Sequence, residues 1–146
     1  MSIREDVAVN IVDTLKEIEA PKPVIVTREP FAITELAITQ FPALLVQQTQ
    51  ETRETVTMGM PGGGRRIGTM TFEVRGYVRG TQLDTKRNDL IEAVEDALDA
   101  DRYRGLRASG VLDTQIVNIE IIPRIEPLAE FVMTVEVNYN YVRGSQ

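Results

Sequence analysis

Aspartate and glutamate are the side chains of this sequence with the most chemistry to offer, 22 of them against 16 lysines and arginines. Asp96 with Asp99, and Glu126 with Glu130, have the spacing of a metal-binding or general acid–base couple. Such a couple works only where other groups converge on it, and the usual ones are missing. Histidine and cysteine are both absent, which removes imidazole bases, thiolate nucleophiles, disulfides and the common zinc ligands. Serine occurs only as Ser2, Ser109 and Ser145, so a Ser/His hydrolase is excluded. Acidic pairs arise by chance in so acidic a chain. The sequence reads as a non-enzyme, with no metal and no other cofactor expected.

Three further groups could act by contact instead of reaction. Gly62-Gly63-Gly64-Arg65-Arg66 is glycine-rich and basic, but a phosphate-binding loop needs G-x-x-x-x-G-K-[ST] and a helix behind it. Here arginines replace the Lys-Ser pair and a strand follows. Two readings are open: an arm whose arginines grip the carboxylates of a neighbouring subunit, or a plain hairpin tip. The second group is acidic: Glu92, Glu95, Asp96 and Asp99, followed by Asp101, crowd the end of a helix. There they oppose the helix dipole at a cost of about 0.3–1 kcal/mol each when exposed, partly offset by Arg102 and Arg104. They read as a solvated face, as the lining of a passage that must not hold DNA, or as a contact for a basic partner. Tyr77, Tyr139 and Tyr141 lie on strands, where packing explains them better than base stacking.

The elements that must position these groups follow from hydrophobic period. Residues Ser2 to Ile18 predict an amphipathic helix with Ile3, Val7, Ile11 and Leu15 on one stripe and a Ser2–Glu5 capping box. Pro21 and Pro23 stop it. Val24–Arg28 is a short strand, residues 31–40 are ambiguous with a small helix near Ile33, and Pro42–Gln48 is a second strand that Glu51–Met58 extends. Arg65–Arg79 alternates strictly, with Met70, Phe72, Val74 and Val78 on the apolar side. Gln82 to Ala100 predicts a second helix, capped by Thr81, with Leu83, Leu90, Ile91, Val94, Ala97 and Leu98 buried. Asp113–Ile122 is a strand with Val117, Ile119 and Ile121 on one face. Pro123–Leu128 turns, and Ala129–Val142 is a last strand facing inward through Phe131, Met133, Val135, Val137, Tyr139 and Tyr141.

The resulting order, α-β-β-β-α-β-β, predicts an α+β fold: a mainly antiparallel sheet of about five strands, two main helices and a long β-hairpin loop. A chain of 146 residues without linker or repeat reads as one domain, 1–146. No apolar run approaches the roughly 18 residues of a membrane span. Arg4, Glu5 and Asp6 stand where a secretion signal would begin, so none is expected and the chain reads as soluble and intracellular. A net charge of −6 argues against nucleic-acid binding by phosphate neutralisation.

This pattern resembles the tail terminator (tail-completion) proteins of long-tailed bacteriophages. The resemblance rests on the N-terminal helix Ile3–Ile18 with its strand Val24–Arg28, the Pro42–Val46 strand, the Gly-rich hairpin and the Phe72–Val78 strand. It extends through Leu83–Leu98, closing on Arg104-Gly105-Leu106, and the terminal strand Val132–Val142 with Tyr139-Asn140-Tyr141. The family implies a homo-oligomer, usually a hexameric ring, that caps the head-proximal end of the tail tube and stops its polymerisation. Its partners would be the tail tube protein and a head-completion or neck protein, with DNA passing through the lumen unbound and no membrane involved. The protein would belong to the tail or neck of a virion assembled in the host cytoplasm. Rival readings are another neck component, such as a head–tail connector or stopper, and a small carboxylate-using enzyme or ligand-binding domain.

Overall fold

The alternating segment forms the central rail of the molecule, strand β3 (Arg65–Arg79). The computed structural model describes residues 3–30, 40–55 and 65–142, apart from the side chains of Thr55, Arg65, Tyr141 and Val142. Before β3 come helix α1 (Ile3–Lys16), strand β1 (Ile25–Thr27) and strand β2 (Ala43–Thr55). After it come helix α2 (Leu83–Asp99), a 3₁₀ turn at Arg107–Ser109, strand β4 (Val111–Ile122) and strand β5 (Leu128–Val142). The fold is α+β, as its pattern predicts. The strands make one five-stranded sheet in the order β1-β2-β3-β5-β4, parallel between β1 and β2 and antiparallel elsewhere.

Both helices pack on the same face of this sheet. Val7, Ile11 and Leu15 of α1 and Leu90, Val94 and Leu98 of α2 are fully buried. Each such aliphatic side chain contributes about 1.5–3 kcal/mol by leaving water. They meet Met70, Phe72 and Val74 of β3 and Phe131, Met133, Val135, Val137 and Tyr139 of β5 in one cluster. Gly68 and Gly76 belong to the same face of β3 and explain how two aromatic rings fit there. Gly68 is paired with Tyr139 and Gly76 with Phe131. A Cβ at these positions would lie 2.3 Å from the Tyr139 ring and 2.1 Å from the Phe131 ring. The missing side chains are the seats of the rings.

The structure corrects several boundaries. Helix α2 begins at Leu83, and its cap residue is Gln82, held at φ 54° with no side-chain cap bond; Thr81 does not cap it. Strand β4 starts earlier, at Val111, and β5 takes in Leu128, opposite Arg79. Bulges in β4, between Val111 and Asp113 and between Ile116 and Asn118, change one member of its expected face: Ile119 and Ile121 stay together, but Ile116 takes the place of Val117. Ile116, Ile119 and Ile121 lie opposite Val135, Met133 and Phe131 and so face the helices. Val117 sits in the bulge and is exposed instead. The extension of β2 is present as far as Thr55, after a bulge between Gln48 and Gln50. Ser2 of the capping box, the helix near Ile33 and the glycine-rich tip all lie outside the described residues; Glu5 grips Arg28 at 2.7 and 3.1 Å.

Candidate functional site

Two carboxylates are held by the sheet, one on each face, Glu51 half-buried and Glu130 buried. Glu51 lies on the helix side, opposite Met70, because the bulge before Gln50 resets the alternation of β2. It accepts hydrogen bonds from Arg4 Nε at 2.6 Å, Tyr139 Oη at 2.5 Å, Gln48 Nε2 at 3.1 Å and Arg53 Nη2 at 3.1 Å. Burial alone would raise its pKa. The bonds from Arg4, Tyr139 and Arg53 outweigh burial and draw the carboxyl down to about 2. The Tyr139 phenol, buried and donating to that carboxylate, is pushed up to about 12. This knot joins α1, β2 and β5.

Glu130 occupies the other face, opposite Tyr77, and is 1% exposed. Arg124 Nε donates to it at 2.7 Å and Arg75 Nη1 at 3.3 Å; Arg75 also reaches Glu73. Glu126 is exposed in the preceding turn, so the Glu126–Glu130 couple suggested by spacing does not form. Tyr77 packs with Ala43 and Leu45 in a small apolar cluster beside Glu130, and burial followed by that carboxylate raises its pKa. Tyr77 and Tyr139 are packing and hydrogen-bonding residues. The Tyr141 side chain lies outside the described residues.

Arg104 closes the end of α2. Its side chain is 1% exposed, its backbone is left-handed at φ 53°, and its Nη2 donates to the carbonyls of Leu98 and Asp101. It thereby supplies the positive charge and the carbonyl partner that a helix C-terminus needs. Its Nε and Nη1 have no partner among the described residues. Burial lowers its pKa, against the pull of Asp101 and Asp99. Arg102 does not share this task; it pairs with Asp113 at 3.2 Å.

Of the residues singled out by sequence, Glu92, Glu95, Asp96 and Asp99 all fall on α2, with Glu92, Asp96 and Asp99 exposed and Glu95 half-buried. None of them makes an ion pair or side-chain hydrogen bond among the described residues. Asp89 extends the row, since residues 89, 92 and 96 share the face opposite Leu90, Val94 and Leu98. They wall a shallow cleft of about 380 Å³ whose floor is Ala20, Pro21 and Ala93. It continues past Asp89 and Pro21 into an apolar cleft of about 280 Å³ containing Phe41 and Pro42. Arg66 opens β3, half-buried, with an Nε that has no partner among the described residues. Arg65 takes part in β3 opposite Val142, while Gly62, Gly63 and Gly64 lie outside the described residues.

A further cleft, about 490 Å³, lies where α2 begins beside the β4–β5 turn. Its arginines are already engaged, Arg87 with Asp84 at 2.8 Å and Arg124 with Glu130. No three acidic side chains cluster as a metal site among the described residues, and no helix is long and apolar enough to cross a membrane. No protein-family model matches the chain, and no characterised protein matches it in sequence.

Proposed function

We propose that this chain is a non-enzymatic assembly protein that closes into a ring, acting as a terminator on the head-proximal end of a phage tail tube. The observation that carries the reading is the division of its charges. The carboxylates Glu51 and Glu130 are bound by arginines within the chain, while Asp89, Glu92 and Asp96 on the outer face of α2 make no ion pair among the described residues. Charge left unpaired beside a cleft serves contact with something outside the chain better than it serves folding. The order of elements, with a long β2–β3 hairpin beside an N-terminal helix and two closing strands, is the pattern on which the family resemblance rests. The small-enzyme reading gains less support, because the described clefts bring together no nucleophile with a base. In this reading the partners are further copies, the tail tube protein and a neck protein, in the virion tail or neck.

Negative-stain microscopy of the concentrated protein, with its mass measured on the same sample, tests the proposal. A closed hexameric ring with a central hole, of about 98 kDa for a 16.4 kDa chain, is expected. A uniform monomer, both alone and in the presence of tube ends, would overturn it.

A further inference from the structure

We propose that Ile125, in the β4–β5 turn, is a knob that seats in the apolar cleft beside Phe41 and Pro42 of a second copy, joining neighbours edge to edge. The inference deepens the ring reading and rests on it. Ile125 is 89% exposed, more than any other large apolar side chain among the described residues. Pro123 and Pro127 flank it, and the fixed φ of proline leaves the tip little freedom to lose on docking. A lone exposed isoleucine would need no explanation, but this one is not alone. Six large apolar side chains are exposed among the described residues, and five of them lie at the two lateral edges of the sheet. Leu112, Val117 and Ile121 belong to β4, Ile125 follows them, and Val24 precedes β1 at the opposite edge. The free edge of β4 carries neither lysine nor proline, and two bulges and two acids are its only guards against a neighbour.

The cleft matches the knob in size and in charge. Phe41, Pro42 and Val78 give it an apolar lining, and Arg79, Lys86 and Asp89 complete it. Its volume of about 280 Å³ lies below the roughly 300–1,000 Å³ of small-molecule sites and suits an aliphatic side chain. Two cations against one acid leave its rim positive. Glu126, exposed beside Ile125, makes no ion pair among the described residues, and neither do Arg79 and Lys86. Arg124, on the other side of the tip, is already held by Glu130 at 2.7 Å, so the charge the tip can offer is that of Glu126.

Position makes this a contact between copies. Leu128 pairs with Arg79 on the β5 side of β3, whereas Ala43, next to Pro42, pairs with Tyr77 on the β2 side. Knob and seat therefore flank the same end of β3 on opposite sides. A copy that gives its knob to one neighbour and its seat to the other makes a heterologous contact, the kind that repeats around a ring when the rotation closes.

The test uses full-length protein. The chain has no cysteine, so I125C and K86C each carry a single thiol. Mixed and treated with a short bismaleimide, they should give the I125C–K86C pair in excess of either self-pair. In parallel, I125D should need at least tenfold more protein than wild type to assemble, read by analytical ultracentrifugation. E126K and K86E should each weaken assembly, and their equimolar mixture should recover. Cross-linking of I125C only to itself, undiminished assembly of I125D, or no recovery in the mixture overturns this contact and leaves the ring reading in place. A wild-type chain that stays monomeric under every condition overturns both. Circular dichroism on each variant separates lost contact from lost fold.

Discussion

The β3–β5 ladder and the outer face of α2 use the same residue types in opposite ways. In the ladder nearly every group has a local purpose. Gly68 and Gly76 give space to Tyr139 and Phe131, Tyr139 donates to Glu51 of the adjoining strand β2, where four side chains saturate that carboxylate, and Glu130 is clasped by two arginines. On α2 the inner stripe Leu90, Val94 and Leu98 is equally committed, but Asp89, Glu92 and Asp96 on its outer face have no ion-pair partner among the described residues. Acidic residues near a helix C-terminus weaken that helix slightly. Their placement therefore costs stability, and Arg104 repairs part of the loss from inside. What the contrast teaches is that burial and pairing, not residue type, separate the carboxylates that hold the fold from those free to make contacts.

The sharpest way to break the ladder is to fill a glycine seat. Gly76→Ala drives a methyl into the buried Phe131 ring, and Gly68→Ala does the same to Tyr139. Each should destabilise by about 3 kcal/mol, the upper end for overpacking in a dense core, measured by urea unfolding. A loss below 1 kcal/mol for both would mean that the rings have other places to go.

Next in size is the Glu51 knot. Its carboxyl sits at about 2 in the folded chain against an ordinary value of 4.5. A lowered carboxyl pKa adds stability above the unfolded value and withdraws it as pH falls from about 4.5 towards 2, by up to about 3 kcal/mol. Tyr139 gives the opposite edge. Raised from 10 to about 12, it adds stability below pH 10 that is lost as the pH climbs towards 12. Glu51→Gln should flatten the acid limb, with a loss of about 2 kcal/mol at neutral pH. A wild-type stability that is level from pH 5 to pH 2.5 would contradict the assignment.

The smallest effects are expected at the outer end of the ladder, where Arg65 and Arg66 pair with Val142 and Tyr141. R65E/R66E should keep its unfolding free energy within about 0.5 kcal/mol of wild type while losing assembly, as a change at a surface contact should. A large loss of stability would place these arginines in the fold instead.

Much of this was legible in the sequence because it depended on local period. Strand β3 has the bounds its alternation predicts, and the apolar stripes of α1 and α2 are the ones that pack. What stayed hidden depends on register between distant segments. Glu51 reads as one more polar residue in a strand extension, and nothing nearby announces Arg4, 47 residues before it, or Tyr139, 88 after it. Glu130 looks like a partner for Glu126 until strand pairing sets it beside Arg75. The bulges of β4 carry no glycine or proline to mark them, so the period appeared unbroken and Val117 was assigned to the wrong face. Arg104 shows the intermediate case. Its charge at the helix end could be read, but not its burial.

The most direct test of the central contrast is side-by-side urea unfolding of Glu51→Gln and the triple variant D89N/E92Q/D96N at neutral pH and low salt. The account predicts that the single change costs about 2 kcal/mol, whereas removing all three outer charges leaves stability within about 0.5 kcal/mol or raises it. The reverse order, with the triple variant the less stable, would contradict it and return the outer face of α2 to the fold.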